Sequence, residues 1–206
     1  MIDPGDVDIE AIILDIGGVI WLPNDVRLSD KWAARCGLDA EAFDQIAYRS
    51  EWGKQAMLGT MTHLEFWAKV GEALNLAGSD LRELEADYWD GVWDSNMLDL
   101  CRTLQPQYQL GIVSDAFSDA RNTVKPWVNG DLFDAIIFSA EEGICKPDPR
   151  IFQKALRELD VEPERALFVD DRAKNVEGAK QVGLHAFQYQ NYPQFLQELA
   201  QYIDLD

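Results

Sequence analysis

The stretch IEAIILDIGGVIW, Ile9–Trp21, constrains this chain more than any other. Its centre, Ala11-Ile12-Ile13-Leu14, is apolar without alternation and stops abruptly at Asp15. Such a run suits a strand covered on both faces, as at the centre of a parallel sheet. A carboxylate closing that strand falls at the carboxyl edge, where open α/β sheets bind ligands. Gly17 and Gly18 let the backbone turn sharply and approach whatever Asp15 faces. Taken alone, the same residues also describe an ordinary strand that ends in a solvated Asp and a glycine turn.

After this strand, Trp21–Asn24 reads as a loop, because Pro23 rules out a continuing central strand. From about Asp25 to Trp93 every strong pattern is helical. Leu28, Trp32 and Cys36 share a face, and Gly37 is a natural stop. A second helix covers about Ala40–Tyr48, followed by a break around Gly53 and Gly59. Thr62 and Glu65 have capping-box spacing, which would put Leu64, Trp67, Ala68 and Gly71 along one face. Ser79 can cap a further helix to about Trp89. This block holds five of the seven tryptophans (Trp32, Trp52, Trp67, Trp89 and Trp93) and is long enough for a small bundle inserted after the first strand.

From Asn96 strands and helices alternate. The expected order is a helix over Met97–Leu104, a strand at Leu110–Val113 and a polar helix over about Ser118–Trp127. A strand at Ala135–Phe138, a helix over about Arg150–Leu159 and a strand at Ala166–Val169 follow. A helix over Ala173–Val182, a short strand at His185–Phe187 and a last helix from about Pro193 end the chain. Alternation of this kind implies parallel strands joined by right-handed crossovers. The expected fold is therefore α/β: a Rossmann-like parallel sheet core over 1–21 and 94–206, with an inserted helical cap over 22–93.

Composition narrows the partners. With 206 residues and 47% hydrophobic content, the chain can form a sizeable core with a small insert. No apolar run approaches the roughly 20 residues that span a bilayer. The acidic start MIDPGDVD lacks a signal pattern, and Cys36, Cys101 and Cys145 are dispersed and odd in number. A reducing cytoplasm is the expectation. A net charge of −19 opposes binding to nucleic acid or anionic membranes. It also repels an anionic substrate unless a cation or a buried Lys offsets the field. Oligomeric state is not readable.

Three apolar strands end in polar groups: Asp15, Ser114-Asp115 and Asp170-Asp171. A parallel sheet puts all three ends on one edge. Carboxylates gathered there suit a hard, oxygen-preferring cation such as Mg²⁺. Lys146 would add a positive charge beside them.

On these residues the chain resembles the haloacid dehalogenase (HAD) superfamily, in the subgroup with a helical cap after the first strand. LDIGGVI, GIVSDA, ICKPDPRIF and FVDDRAKNVEGA carry the resemblance, and MLGTMTHLEFW marks the cap. The resemblance implies a mobile cap closing over the strand edge and a Mg²⁺-dependent phosphatase acting on a small phosphate ester. Asp15 would attack the phosphoryl group and form an aspartyl-phosphate. Asp15, the Gly17 carbonyl and Asp170 would hold Mg²⁺, with Asp171 a direct or outer-shell partner. Ser114 and the Asp115 amide would bond the transferring oxygens, and Lys146 would neutralise charge on them and on Asp15.

Two positions depart from the family pattern. Gly17 stands where most phosphatases of the superfamily carry an acid–base Asp, a gap shared with members reading DxGG or DxGN. Asp115 stands where Asn is common; it either points outward, partly replaces the missing acid, or caps the next helix. Among the remaining candidates, Asp171 could equally cap its helix, and Asn175 would support the fourth-motif loop. Trp21 and Trp52 lie near loops where cap and core could meet, and Arg49 either reaches the cleft or stays on the surface. His63 fits an exposed first-turn position and His185 starts a strand, so neither is assigned to chemistry. The rival readings are a metal-independent 2-haloacid dehalogenase, suggested by KPDPRIF, and a catalytically degenerate binding protein, which Gly17 allows. Asp170-Asp171 beside Asp15 argues against the first, since like charges without a cation repel.

Overall fold

The computed structural model describes residues 8–24 and 28–205. The expected helical start at Asp25 and the segment MIDPGDV lie outside the described residues. In chain order the strands are β1 (Ala11–Leu14), β2 (Trp21–Pro23), β3 (Gly91–Trp93), β4 (Gln109–Ser114), β5 (Ala135–Phe138), β6 (Ala166–Asp170) and β7 (His185–Gln188). The helices are α1 (Leu28–Cys36), α2 (Ala40–Ala47), α3 (Glu51–Met57), α4 (His63–Leu74), α5 (Ser79–Tyr88), α6 (Ser95–Leu104), α7 (Ala120–Val124), α8 (Ser139–Glu142), α9 (Pro149–Leu159), α10 (Ala173–Val182) and α11 (Tyr192–Leu199).

β1 is buried at all four positions, as its unbroken apolar run requires. It lies at the centre of a five-stranded sheet of order β5-β4-β1-β6-β7, with every pair parallel. Successive side chains of a strand point to opposite faces, and both faces of β1 are covered. Ile12 and Leu14 pack with Met97 and Cys101 of α6 and Phe195 and Leu199 of α11. Ala11 and Ile13 pack with Ile151, Phe152 and Ala155 of α9 and Val176 and Ala179 of α10. Leu14 is level with Ile112 of β4 and Val169 of β6. Asp15, Ser114 and Asp170 therefore leave the sheet within a residue of the same height.

Helices α1–α5 share a separate apolar cluster built on Trp32, Phe43, Phe66, Trp67, Val70 and Leu84. They are reached through an antiparallel ribbon, in which β2 pairs with β3 in the register Trp21↔Trp93 and Pro23↔Gly91. This corrects the loop expected at Trp21–Asn24. Pro23 cannot sit in a central strand, but a two-stranded ribbon has only edges, and there a missing N–H is tolerated. The Trp21 ring needs Gly91, where an added Cβ would fall 2.3 Å from it.

Other local expectations shift for identifiable reasons. Gly53 lies within α3, not at a break, because Ser50 caps that helix through the Gly53 amide at 3.2 Å. Thr62 and Glu65 form the expected capping box, yet the buried stripe of α4 is Phe66, Trp67, Val70, Gly71 and Leu74. Leu64 is 78% exposed. Ser79 is the first helical residue of α5, not its cap; Gly78 holds that position. The polar helix expected to Trp127 ends at Val124, where Pro126 removes an amide. No helix among the described residues is long and apolar enough to cross a membrane.

Candidate active site

Asp15 follows β1 and is nearly buried, at 7% exposed. Its Oδ1 accepts from the Ile16 amide at 2.7 Å and lies 2.9 Å from the Lys146 Nζ. Ser114, at the end of β4, is buried beside this carboxylate and helps to lower its pKa. Burial pushes the Asp15 pKa up to about 6; the Lys146 ammonium pulls it down, and Asp170 pushes it up again.

Asp170, the last residue of β6, is fully buried. Its oxygens receive the Lys146 ammonium at 2.7 Å, the Arg172 amide at 2.8 Å and the Asn175 side-chain amide at 3.0 Å. Asn175 thus holds Asp170, the supporting role read for it in the sequence. Lys146 donates as well to the Val113 carbonyl at 2.9 Å. Burial alone would lower its pKa, but Asp15, Asp170 and Asp115 together raise it. Lys146 is therefore a locked cation, not a solvated loop lysine.

Asp171 lies over the turn after β1. A Cβ on Gly18 would meet the Asp171 Oδ2 at 2.7 Å, and Gly18 itself has φ +75°. Only glycine satisfies both conditions. Burial and then Asp170 push the Asp171 pKa up, against the pull of Arg172 and Lys146. Asp171 does not cap α10 through its side chain.

Oxygens of Asp15, Asp170 and Asp171 all lie within 4.8 Å of one another. Three carboxylates against the ammonium of Lys146 leave two negative charges in a mostly buried site. The donor set is all oxygen. Among the described residues the Gly17 carbonyl accepts no backbone hydrogen bond outside the regular elements, which leaves it available as a further oxygen donor. These features fit a small hard dication.

Asp115 does not cap the next helix, whose N-cap position is Asp119. The Asp115 Oδ1 accepts from the Lys146 backbone amide at 2.9 Å and so ties the loop after β4 to the turn that carries the lysine. That turn is set by Gly178 in α10, where a Cβ would lie 2.6 Å from Pro147. A glycine inside a helical pattern marks a close approach of this kind, but the partner is invisible before folding.

Arg49 pairs with Glu41 at 2.9 Å and with Asp44 at 3.6 Å, away from the carboxylates. Trp52 donates to the Ile46 carbonyl, a contact within the helical block. His63 is half-buried instead of exposed. Its Nε2 accepts from Trp67 at 2.9 Å, and its ring lies 5.5 Å from that of Phe117. His185 starts β7 as expected and packs against Tyr202.

A profile of the haloacid dehalogenase-like hydrolases matches residues 9–183. The chain belongs to this family. Among curated relatives of this HAD-like hydrolase, the D-ribitol-5-phosphate phosphatase of Bacteroides thetaiotaomicron is 32% identical over 93% of this chain and 97% of its own length. The glyceraldehyde 3-phosphate phosphatase of Pyrococcus furiosus is 35% identical over 51% of this chain. The chain spans less than half of that relative's length, 45%. Among solved structures, a HAD family enzyme from Bacteroides thetaiotaomicron, in complex with magnesium and inorganic phosphate, superposes with a TM-score of 0.73. It covers 91% of this chain and 98% of its own at 21% identity, a likeness of fold.

Proposed function

We propose that this HAD-like hydrolase is a magnesium-dependent phosphatase acting on a small phosphorylated metabolite through an aspartyl-phosphate on Asp15. The observation that carries the proposal is the triad of carboxylates within 4.8 Å, bridged through Asp15 and Asp170 by one buried ammonium. The phosphatase relatives support the same reading.

In this reading a carboxylate oxygen of Asp15 bonds to phosphorus as the ester oxygen departs. Water then cleaves the acyl phosphate at phosphorus, which frees phosphate and restores the carboxylate. Magnesium, held by Asp15, the Gly17 carbonyl and Asp170 with Asp171 beside them, would supply the charge that lets one anion approach another. Lys146 keeps Asp15 aimed and offsets charge on the transferring oxygens. Ser114 and the Asp115 amide bond those oxygens. Residues 22–93 act as the cap that closes over the edge.

A panel of phosphate esters, assayed with and without Mg²⁺ alongside 2-haloacids, tests the reading. Magnesium-dependent phosphate release is the expected result. Metal-independent halide release would instead establish the dehalogenase, and silence from a folded protein would leave a binding protein.

A further inference from the structure

Ser139, the first residue of α8, is fully buried and bonds in two directions. Its hydroxyl donates to the Met57 carbonyl at the end of α3, 2.7 Å away. The same oxygen accepts from the Ala116 amide at 3.0 Å. Met57 belongs to the helical block, whereas Ala116 follows Ser114 and Asp115 on the loop after β4. The Ala116 carbonyl lies 3.3 Å from the hydroxyl, so the single proton has a second, longer acceptor.

Three neighbours show that this seam is closely fitted. Gly59 has φ +71°, and a Cβ there would fall 2.1 Å from the Ala140 carbonyl. The Cys145 Sγ, one residue before Lys146, lies 3.6 Å from the same Met57 carbonyl. Phe117, next to Ala116, is buried in the cluster of the helical block, its ring 5.0 Å from that of Phe66. The loop 114–117 is thus held from the core by Asp115 and Ser139, and from the block by Phe117.

We infer that Ser139 is a positioning residue that makes the shape of the phosphate-binding loop depend on docking of the helical block. When the end of α3 withdraws, the hydroxyl loses its nearer acceptor. A buried hydroxyl is costly to leave unpaired, so its proton turns to the Ala116 carbonyl and the loop loses the docked geometry. With the block seated, the loop is held ready for an anion. The inference rests on the phosphatase reading only in naming what the loop binds.

Ser139→Ala in the full chain tests it. Hydrogen exchange needs no substrate and follows segments 56–60 and 114–117. Competitive inhibition by inorganic phosphate and kcat/KM follow the site. The expected result is faster exchange in both segments together, phosphate affinity weaker by about tenfold, and kcat/KM lower by at least as much. Thr62→Ala removes a helix cap in the same block and is expected to speed exchange near α4 alone. Gly59→Ala approaches the seam from the other side and should weaken phosphate binding as well. Faster exchange confined to Ala116, with 56–60 and phosphate affinity unchanged in both variants, would overturn the inference. Coupled exchange in a protein without phosphatase activity would overturn the phosphatase reading and leave the coupling standing.

Discussion

A proton leaves Asp15 reluctantly because the carboxylate it creates is buried, and the Lys146 ammonium compensates only in part. The folded pKa of about 6 lies above the ordinary value of 3.8. Between those values the folded protein holds a proton that the unfolded chain has lost. The associated stability is complete below pH 3.8 and is lost as pH rises through about 6. Asn at this position cannot ionise. In EDTA, Asp15→Asn should therefore gain stability relative to wild type as pH is raised from 4 to 7, by a few kcal/mol at most, since one pKa unit is about 1.4 kcal/mol. Thermal melts across that range check this, and a pH-independent difference would refute it. The same variant should lose turnover by about 10³ or more, because it removes the proposed nucleophile. Gly18 supplies a second residue-level prediction. Gly18→Ala must displace the Asp171 carboxylate that its Cβ would meet at 2.7 Å. The Mg²⁺ concentration for half-maximal activity should rise several-fold. Gly17→Ala, with nothing within 4 Å of the added Cβ, should shift it less.

At the scale of elements, the parallel strands were the most legible part of the chain. Ala135–Phe138 and the helix Ala173–Val182 coincide with the pattern-based bounds. Unbroken apolar runs and a glycine stop are local signals, and burial on both faces leaves them no alternative. The ribbon β2–β3 was not legible, because its two strands are three residues each and lie 67 residues apart between Pro23 and Gly91. The face of α4 was misplaced for a related reason: which stripe is buried depends on the helices that cover it. Close contacts between elements are equally silent in sequence. Gly178 in α10 accepts Pro147 against its backbone, and that contact seats Lys146. Gly178→Ala should therefore cost about 1–3 kcal/mol, the usual range for overpacking, despite the better helix propensity of Ala. Denaturant unfolding measures it, and a stabilised variant would show that the contact is slack.

Across the whole molecule, a charge of −19 surrounds a site proposed to receive a phosphate anion. The long-range field opposes encounter, while the Lys146 ammonium and the proposed magnesium would act only near contact. At saturating Mg²⁺, kcat/KM for a dianionic ester should therefore increase between about 10 mM and 150 mM salt, as screening shortens from roughly 30 Å to 8 Å. A decrease would mean that a positive local field already dominates the approach. The helical block has its own apolar cluster, yet Phe117 of the loop after β4 is buried in it. The block and the loop after β4 are therefore packed as neighbours and not merely tethered.

Local pattern alone determined the strands, their alternation with helices, and the gathering of Asp15, Ser114, Asp170 and Asp171 at one edge. The physical reason is that parallel pairing brings strand ends to a common height whatever lies between them. Only the tertiary structure decided what those groups touch. It turned the Asp115 carboxylate to the Lys146 amide, pressed Asp171 over Gly18, and set the Ser139 hydroxyl between Met57 and Ala116. Each of these contacts joins segments that no periodicity links, so it exists only once the chain has packed.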